Sequence, residues 1–383
     1  MENSFSSPGV PPPLTTPPPV ITPPPPAKPR KSWGWMIAAI VLIVLLGFSL
    51  LGNFTQSVSH ALGGGFNRGY KNGTARDAGP RLDEVILEDN GAHDKIAVIT
   101  VDGIITSHSA NQSGNNMVDV IKAQLDRAKD DKRVKAVILR VDSPGGEVMA
   151  SDQINKVIAN FQADSQKPVI CSMGSLAASG GYYISAPCRW IVANDLTITG
   201  SIGVIMHGIN YRGLMDKVGI APMTFKSGKY KDMLSPDRSP NDIPPEEHAM
   251  VQALIDETFQ KFKGVVRSGR AQAHEKNKVE GKTLAADWED YADGRVLSGT
   301  QALTLGFVDQ VGDFDDAVER TEKIAHIMNG ATLIEYRERY DLSDFLSMFG
   351  QTGAAHDIKL DLGLDLPKLR AGCMYFLYQA PEN

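Results

Sequence analysis

The stretch VKAVILRVDSPGG, residues 134–146, carries the strongest indication of fold in this chain. Its first eight residues are mostly apolar and β-branched, as in a strand that is buried on both faces of a parallel sheet. The strand runs into a Ser-Pro-Gly-Gly turn. Two glycines permit a sharp turn and expose backbone amides at the start of the next helix, where amides can hold an oxyanion. An ordinary strand-to-helix turn explains the same glycines equally well.

A second stretch of similar design is KPVICSMGSLAASGGYYISA, residues 167–186. The apolar run predicts a strand, and small residues surround Ser179 directly after it. A serine at a helix N-terminus favours developing negative charge, so Ser179 is a candidate nucleophile; a helix N-cap is the alternative role. Both glycine-rich turns follow the carboxyl ends of strands, where open α/β sheets place their sites.

Strands and helices alternate on both sides of these two stretches. Further strands are predicted at 95–101, 189–194, 201–206 and 221–226, and helices at 117–130, 154–161, 210–218, 245–266 and 313–328. This alternation predicts an α/β fold with a mainly parallel sheet covered by helices. The region 93–330 is long enough for one large core.

The N-terminal part has a different composition. Of the 23 prolines, 12 fall in the first 30 residues, so residues 1–31 are expected to be an extended, solvated arm. A basic cluster, two tryptophans and an uncharged apolar run predict a transmembrane anchor at 32–52 with a cytoplasmic N-terminus. A cleaved signal peptide fits less well, because the segment before its apolar run would be proline-rich and longer than about 30 residues. Residues 53–92 are expected to be a linker, and residues 331–383 a C-terminal extension.

Composition excludes several classes of function. The net charge of −6 argues against nucleic-acid binding through a basic surface. The three cysteines have no zinc-site spacing, and there is no HExxH, P-loop or GxSxG motif and no GxGxxG after a strand. Cys171 and Cys188 could form a disulfide or pack as small apolar residues.

A serine nucleophile needs a base. Among eight histidines, His207 at a strand end is the best imidazole candidate, although a structural role suits it better. A desolvated lysine is the other option. Lys229 and Lys231 both lie in SGKYKD, residues 227–232, and spacing alone does not choose between them. Two solvated surface lysines are the ordinary interpretation of this segment.

Four segments in order, SPGG, MGSLAASGGYYIS, TGSIGV and KSGKYKDMLSP, resemble the signal peptide peptidase A (protease IV) family in its short, single-copy form. GRVLSGTQALTLGFVDQVG at 294–312 is similar to a later family block, and the resemblance covers about residues 95–330. It implies a Clp-protease/crotonase-like fold. It also implies that Ser179 is the nucleophile, Lys231 the general base, Ser201 the hydroxyl that orients the lysine, Gly146 an oxyanion-hole amide and Gly180 a second one.

The resemblance further implies a membrane-anchored serine endopeptidase with an extracytoplasmic catalytic domain. It would hydrolyse signal-peptide remnants and other apolar peptides through an acyl-enzyme. Relatives form rings in which serine and lysine come from neighbouring subunits, and some carry tails like CMYFLYQAPEN that thread into a neighbour's groove; a disordered tail is the alternative here. The alternatives are a crotonase-type acyl-CoA enzyme, which an extracytoplasmic location disfavours, and a catalytically silent membrane scaffold, which Ser179 and Lys231 disfavour.

Overall fold

The structure is a computed structural model that describes residues 79–107, 115–339 and 374–377, together with Leu42. All of these except Leu42 belong to the unit Ala75–Asn383. The predicted arm, the rest of the predicted anchor and most of the predicted linker lie outside the described residues. In the part of the chain that is described, no helix has the length and apolar character that a bilayer span requires.

Nine strands among the described residues form the main sheet. They are β1 (Leu82–Glu88), β2 (Lys95–Asp102), β3 (Val134–Ser143), β5 (Val169–Ala178), β6 (Trp190–Ala193), β7 (Ile198–Gly200), β9 (Val296–Ser298), β10 (Gln310–Val311) and β11 (Thr332–Glu338). The main path runs β1-β11-β2-β3-β5-β6-β10, with β7 beside the end of β5 and β9 beside β7. Only the β1–β11 and β7–β9 pairs are antiparallel within this sheet, which confirms the predicted mainly parallel α/β fold.

A second, antiparallel sheet of three short strands lies beside the first. Its order is β4-β12-β8, with β4 (Gly145–Glu147), β8 (Ile205–Met206) and β12 (Met374–Leu377). Because β4 directly continues the Ser-Pro-Gly-Gly turn after β3, this small sheet begins at the first glycine-rich turn.

The described helices follow the alternation that the sequence predicts. They are α1 (Met117–Asp130), α2 (Val148–Ser165), α3 (Gly180–Ser185), α4 (Arg212–Val218), α5 (Pro245–Asn277), α6 (Gly299–Thr304) and α7 (Phe314–Ile324). Local side chains fix several of their ends. Asn116 caps α1 by accepting a hydrogen bond from the Asp119 amide, and capping boxes begin α6 at Ser298 and α7 at Asp313.

The core occupies both faces of the main sheet. Successive residues of a strand point to opposite faces. Ala97 and Ile99 therefore pack into the larger apolar cluster, whereas Ile96 and Val98 pack into a smaller one with Val318 of α7. The strands of the sheet centre are buried on both sides, and this is why their sequences read as uninterrupted apolar runs.

The structure differs from the sequence prediction at the ends of the domain. β1 (LDEVILE) lies within the predicted linker 53–92, and β11 lies within the predicted extension 331–383. β1 has five exposed residues out of seven because it forms the edge of the sheet, so its sequence resembles a polar linker. Residues 201–206 contribute only β8, and residues 221–226 form no strand, since most of that segment is exposed.

Candidate active site

Ser179 lies at the junction of β5 and α3, in a backbone conformation that serine rarely adopts. Its φ is 54° and its ψ is −114°, and the residue is 1% exposed. Such strain persists only where neighbouring structure imposes it, and it is frequent at functional sites. The Ser179 amide donates to Gly200 O at 2.8 Å, and the Tyr183 amide donates to Ser179 O at 2.8 Å. The sharp turn presents the side chain of Ser179 without using it as a helix cap.

The two glycine-rich turns meet at this point. A Cβ added to Gly180 would lie 2.7 Å from Ser151 Oγ, 3.0 Å from Gly145 Cα and 3.0 Å from Gly146 N. A Cβ on Gly181 would lie 2.8 Å from Ser143 O. Only glycine permits so close an approach. The contact gathers Ser179, Gly180 and the Gly146 amide within a few ångströms, which is the arrangement that an oxyanion hole requires.

Hydrogen bonds fix the turn that carries Gly146. Ser143 Oγ donates to Gly103 O at 2.6 Å and accepts from the Gly145 amide at 3.1 Å. The Ile105 amide donates to Gly145 O at 2.8 Å, and the Glu147 amide donates to Ile105 O at 2.8 Å. Gly146 is therefore held from both sides, and its position is preorganised.

The approach of β5 to Ser179 is irregular, and a carboxylate fills the irregularity. Val141 pairs with Met173, but Ser143 pairs with Ala177, so β5 has extra residues between these pairs. Asp142 Oδ1 accepts a hydrogen bond from the Leu176 amide at 3.1 Å within this bulge. Asp142, directly before Ser-Pro-Gly-Gly, thus connects the first glycine-rich turn to the strand that ends at Ser179.

Ser201 also lies next to Ser179. It directly follows Gly200, whose carbonyl accepts the Ser179 amide, and it is 6% exposed with a φ of 49°. The Ser201 amide donates to Arg295 O at 2.8 Å. Ser179, Gly180, Gly146 and Ser201, all singled out in the sequence, therefore come together in one chain.

Lys231 is not hydrogen-bonded to Ser179 in the described part of the chain. It is exposed, whereas Ser179 is buried, and among the described residues its Nζ makes no hydrogen bond or ion pair. The neighbouring Asp232 carboxylate instead accepts from Lys226 Nζ at 2.7 Å. Lys229 Nζ lies over the Tyr230 ring at 4.8 Å. His207, the imidazole candidate, is exposed as well.

The strand β12 lies beside the turn that carries Gly146. In β12, Tyr375 pairs with Glu147 and Phe376 pairs with Gly146, while on its other edge Tyr375 pairs with Ile205 of β8. Addition of an extended strand to a sheet edge is a common mode of peptide recognition. The space between β4 and β8 is therefore a groove that holds one extended strand, here β12 of the same chain.

Phe376 identifies an aromatic pocket in this groove. Its ring is fully buried, with centroids 4.8 Å from the Tyr183 ring and 4.7 Å from the Phe262 ring. Tyr183 lies four residues after Ser179, so the pocket adjoins the candidate nucleophile. The pocket was not predicted from the sequence, because Phe262 and Phe376 are distant along the chain; the aromatic pair Tyr182-Tyr183 next to Ser179 was the available indication.

A charged network supports the pocket from behind. Tyr183 Oη donates to Asp152 Oδ1 at 2.9 Å, and Lys156 and Lys261 pair with the same carboxylate at 2.7 and 2.9 Å. Burial alone would raise the pKa of Asp152, but hydrogen bonds from both lysines and Tyr183 outweigh it and lower the pKa. Burial raises the pKa of Tyr183, so its hydroxyl stays neutral and donates.

The later sequence block, residues 294–312, supports α3 from the other side. Asp309 forms a fully buried ion pair with Arg270 and accepts a hydrogen bond from the Ile191 amide at 2.9 Å. Tyr182 Oη donates to Phe307 O at 2.8 Å. Asp309 and Phe307 of this block therefore stabilise the fold.

The two central cysteines are free and buried. Cys171 Sγ lies 3.2 Å from Ser185 Oγ of α3. Burial raises the pKa of the Cys188 thiol, and its neighbour Cys171 raises it further. Both pack as small apolar residues. Within the described ranges, no group of three or more His, Cys, Asp or Glu side chains is arranged to hold a metal ion.

A family model and several known proteins are similar to this chain. Residues 161–328 match the model of peptidase family S49. A protein of Enterococcus faecium, provisionally named signal peptide peptidase SppA, is 36% identical over 270 residues, which cover 70% of this chain and 73% of the relative. A provisionally named protease of Synechocystis is 41% identical over 58% of this chain and 72% of the relative. A provisionally named protease of Methanocaldococcus jannaschii is 38% identical over 60% and 67%.

Proposed function

Because the chain belongs to the signal peptide peptidase A family and is a serine protease of peptidase family S49, we propose that it is a membrane-anchored endopeptidase with a Ser179–Lys231 dyad. The observation that carries this proposal is the strained, buried Ser179 at the meeting point of two glycine-rich turns. The family also decides against the acyl-CoA alternative.

In the proposed reaction, neutral Lys231 Nζ accepts the proton of Ser179 Oγ as that oxygen attacks a peptide carbonyl. The Gly146 and Gly180 amides donate to the oxyanion of the tetrahedral intermediate. The intermediate breaks its C–N bond, and the lysine returns the proton to the leaving amine, which leaves an acyl-enzyme on Ser179. Lys231 then deprotonates a water molecule that attacks the ester, and the proton passes back to Ser179. The chemistry requires no metal or cofactor.

We propose that Lys231 reaches Ser179 from a neighbouring subunit of a homo-oligomeric ring. The segment around Lys231 supports this proposal, because large apolar side chains near it are unusually exposed: Ile209 is 73%, Met223 81% and Phe225 89% exposed. Large apolar side chains with this degree of exposure are the kind that a protein interface would cover. Ser201, buried next to Ser179, would orient the incoming lysine amine through its hydroxyl, which adds no charge.

The proposed substrates are extended apolar peptides, including signal-peptide remnants. The groove between β4 and β8 supports this choice, since it holds β12 as an added strand and buries Phe376 in an aromatic pocket. Main-chain pairing would provide affinity for any extended peptide, and the pocket would select an apolar side chain.

We further propose that residues 32–52 anchor the chain in the plasma (inner) membrane, with the N-terminus cytoplasmic and the catalytic domain outside. Support comes from the basic residues that precede the uncharged run. Protease added to intact spheroplasts should digest or release the catalytic domain. Protection of this domain, together with a protease-sensitive N-terminus, would reverse the orientation.

The catalytic proposal is tested by labelling the full-length chain with a serine-reactive fluorophosphonate and mapping the modified residue by mass spectrometry. We expect modification at Ser179, and loss of both labelling and peptide cleavage in Ser179→Ala. Ser175→Ala is the matched control, because Ser175 is an exposed serine of the same strand; it should label and cleave normally. Wild-type labelling and cleavage in Ser179→Ala would refute the proposal, and an inert wild-type chain would favour the silent scaffold.

A further inference from the structure

Ser151 places a buried hydroxyl next to the two glycine-rich turns that form the proposed oxyanion hole. It is the fourth residue of α2, the helix that follows β4, and it is 0% exposed. Its Oγ has no hydrogen-bond partner among the residues that the structure describes. A buried hydroxyl without a partner destabilises the folded state, so its presence requires an explanation.

Helical hydroxyls elsewhere in the chain behave differently. Each of several donates to the carbonyl four residues earlier in its own helix, at distances between 2.6 and 3.1 Å: Ser165, Ser185, Thr258, Thr304 and Thr321. This bond is the usual way to satisfy a serine in a helix. Ser151 does not form it with Glu147 O, although that carbonyl stands in the same relation to it. The hydroxyl is therefore oriented away from its own helix.

The neighbours of Ser151 Oγ show where it points. A Cβ on Gly180 would lie 2.7 Å from Ser151 Oγ and 3.0 Å from Gly146 N. One Cα–H bond of Gly180 thus points at the hydroxyl, and the Gly146 amide nitrogen borders the same small space. Contacts of this kind between Cα–H and oxygen are weak hydrogen bonds. Ser151 consequently touches the residue after the nucleophile and adjoins both proposed oxyanion donors.

We propose that Ser151 is a positioning residue of the oxyanion hole. The Ser151 oxygen accepts the weak hydrogen bond from the Gly180 Cα–H. This contact fixes the peptide group that carries the Gly180 amide. The Ser151 O–H has no partner in the described structure, so it can rotate toward the negative charge that develops between the Gly146 and Gly180 amides. The proposal rests on the proposed function, since it concerns the same oxyanion.

Such a role has a characteristic kinetic signature. Ser151 is proposed to act on the intermediate, so its loss should lower kcat and leave KM unchanged. A serine hydroxyl does not ionise near neutral pH, so the pH–rate profile should keep its midpoint. Removal of a hydroxyl that lacks a partner should also stabilise the fold, giving a variant that is more stable and slower.

The test measures kcat, KM, the pH–rate profile and Tm of the full-length chain with a fluorogenic apolar peptide. Ser151→Ala should lower kcat about 10- to 100-fold, less than the loss of a direct oxyanion donor, with KM within about twofold and Tm equal or higher. Ser151→Cys keeps an atom at the γ position with a weaker donor, so its kcat should lie between the two.

Tyr336→Phe is the matched control. Tyr336 Oη is a second buried hydroxyl without a partner in the described residues, and it lies on β11 outside the proposed site. Its removal should raise Tm and leave kcat unchanged. Wild-type kcat in Ser151→Ala, or losses of kcat that parallel falls in Tm across the Ser151 variants, would overturn the proposal while wild-type labelling at Ser179 leaves the proposed function intact. A wild-type chain that neither cleaves nor labels would overturn both.

Discussion

Replacing Phe376 should open the peptide groove. The Phe376 ring is fully buried between Tyr183 and Phe262, and its strand occupies the space between β4 and β8 that a substrate would need. As long as β12 stays docked, a substrate must displace it. The docked strand therefore acts as an internal competitor, and its stability determines how strongly it inhibits.

The size of the effect follows from the buried ring. Phe376→Ala removes the ring and its two aromatic contacts, which should weaken docking by about 3–5 kcal/mol. Each 1.4 kcal/mol is a factor of about ten in an equilibrium constant. The ratio of chains with β12 docked to chains with β12 undocked should then fall by about a hundredfold or more. Because apparent affinity scales with the open fraction, kcat/KM should rise about tenfold or more, mainly through a lower KM.

The assay is steady-state cleavage of a fluorogenic apolar peptide by the full-length chain, with Tm and sedimentation velocity measured in parallel. Phe376→Leu is the graded control, because it keeps an apolar side chain in the pocket and should give a smaller gain. A folded, normally assembled Phe376→Ala protein with unchanged or reduced kcat/KM would refute the reasoning, since the strand would then not compete with substrate.

Three further changes test other parts of the site. Lys231→Arg should be nearly inactive, because a guanidinium stays protonated, whereas Lys229→Ala should keep most activity in the same peptide assay. Gly180→Ala should lower kcat about 100-fold or more, since the added Cβ forces apart the two turns that form the oxyanion hole. The pKa of Asp152 is lowered in the folded protein, so its ionised form stabilises the fold at neutral pH. This stabilisation should be lost as the pH falls below about 4, and Asp152→Asn should flatten the acid limb of the Tm–pH profile.

Each of these outcomes can fail in a distinct way. A dead Lys229→Ala enzyme alongside an active Lys231→Ala enzyme would move the base to Lys229. Normal kcat in Gly180→Ala would show that the turns tolerate separation. An acid limb identical to wild type in Asp152→Asn would show that the carboxylate is equally acidic in the unfolded chain.

The centre of the fold was predictable from sequence because it is buried on both faces. β3 and β5 read as uninterrupted apolar runs, and the glycines after them were sufficient to predict two turns at strand ends, where open α/β sheets place their sites. The two turns lie close together because β3 and β5, the strands that precede them, are parallel neighbours in the sheet. Positions whose residue type is dictated by close backbone approach, such as Gly180, are therefore those that a single sequence conveys best.

The remaining features depend on partners that are distant along the chain. β1 is polar because it is an edge strand, and nothing within LDEVILE indicates that it pairs with residues 332–338. The aromatic pocket joins Tyr183 to Phe262 and Phe376 across the whole domain. A motif was sufficient to recognise Lys231. Its exposure could not be predicted, because exposure is set by the tertiary structure.

The position of β11 has a consequence for how the chain folds during synthesis. β1 and β2 are consecutive in sequence, yet β11 lies between them and pairs with both. One edge of β2, a strand with six of its eight residues buried, thus stays open until Thr332–Glu338 emerges. At about 5–20 residues per second, this delay is about 10–50 s. The nascent chain must carry an apolar open edge for that time, so the main sheet is completed by the insertion of a late strand between two early ones. A chaperone that covers strand edges would act in this interval.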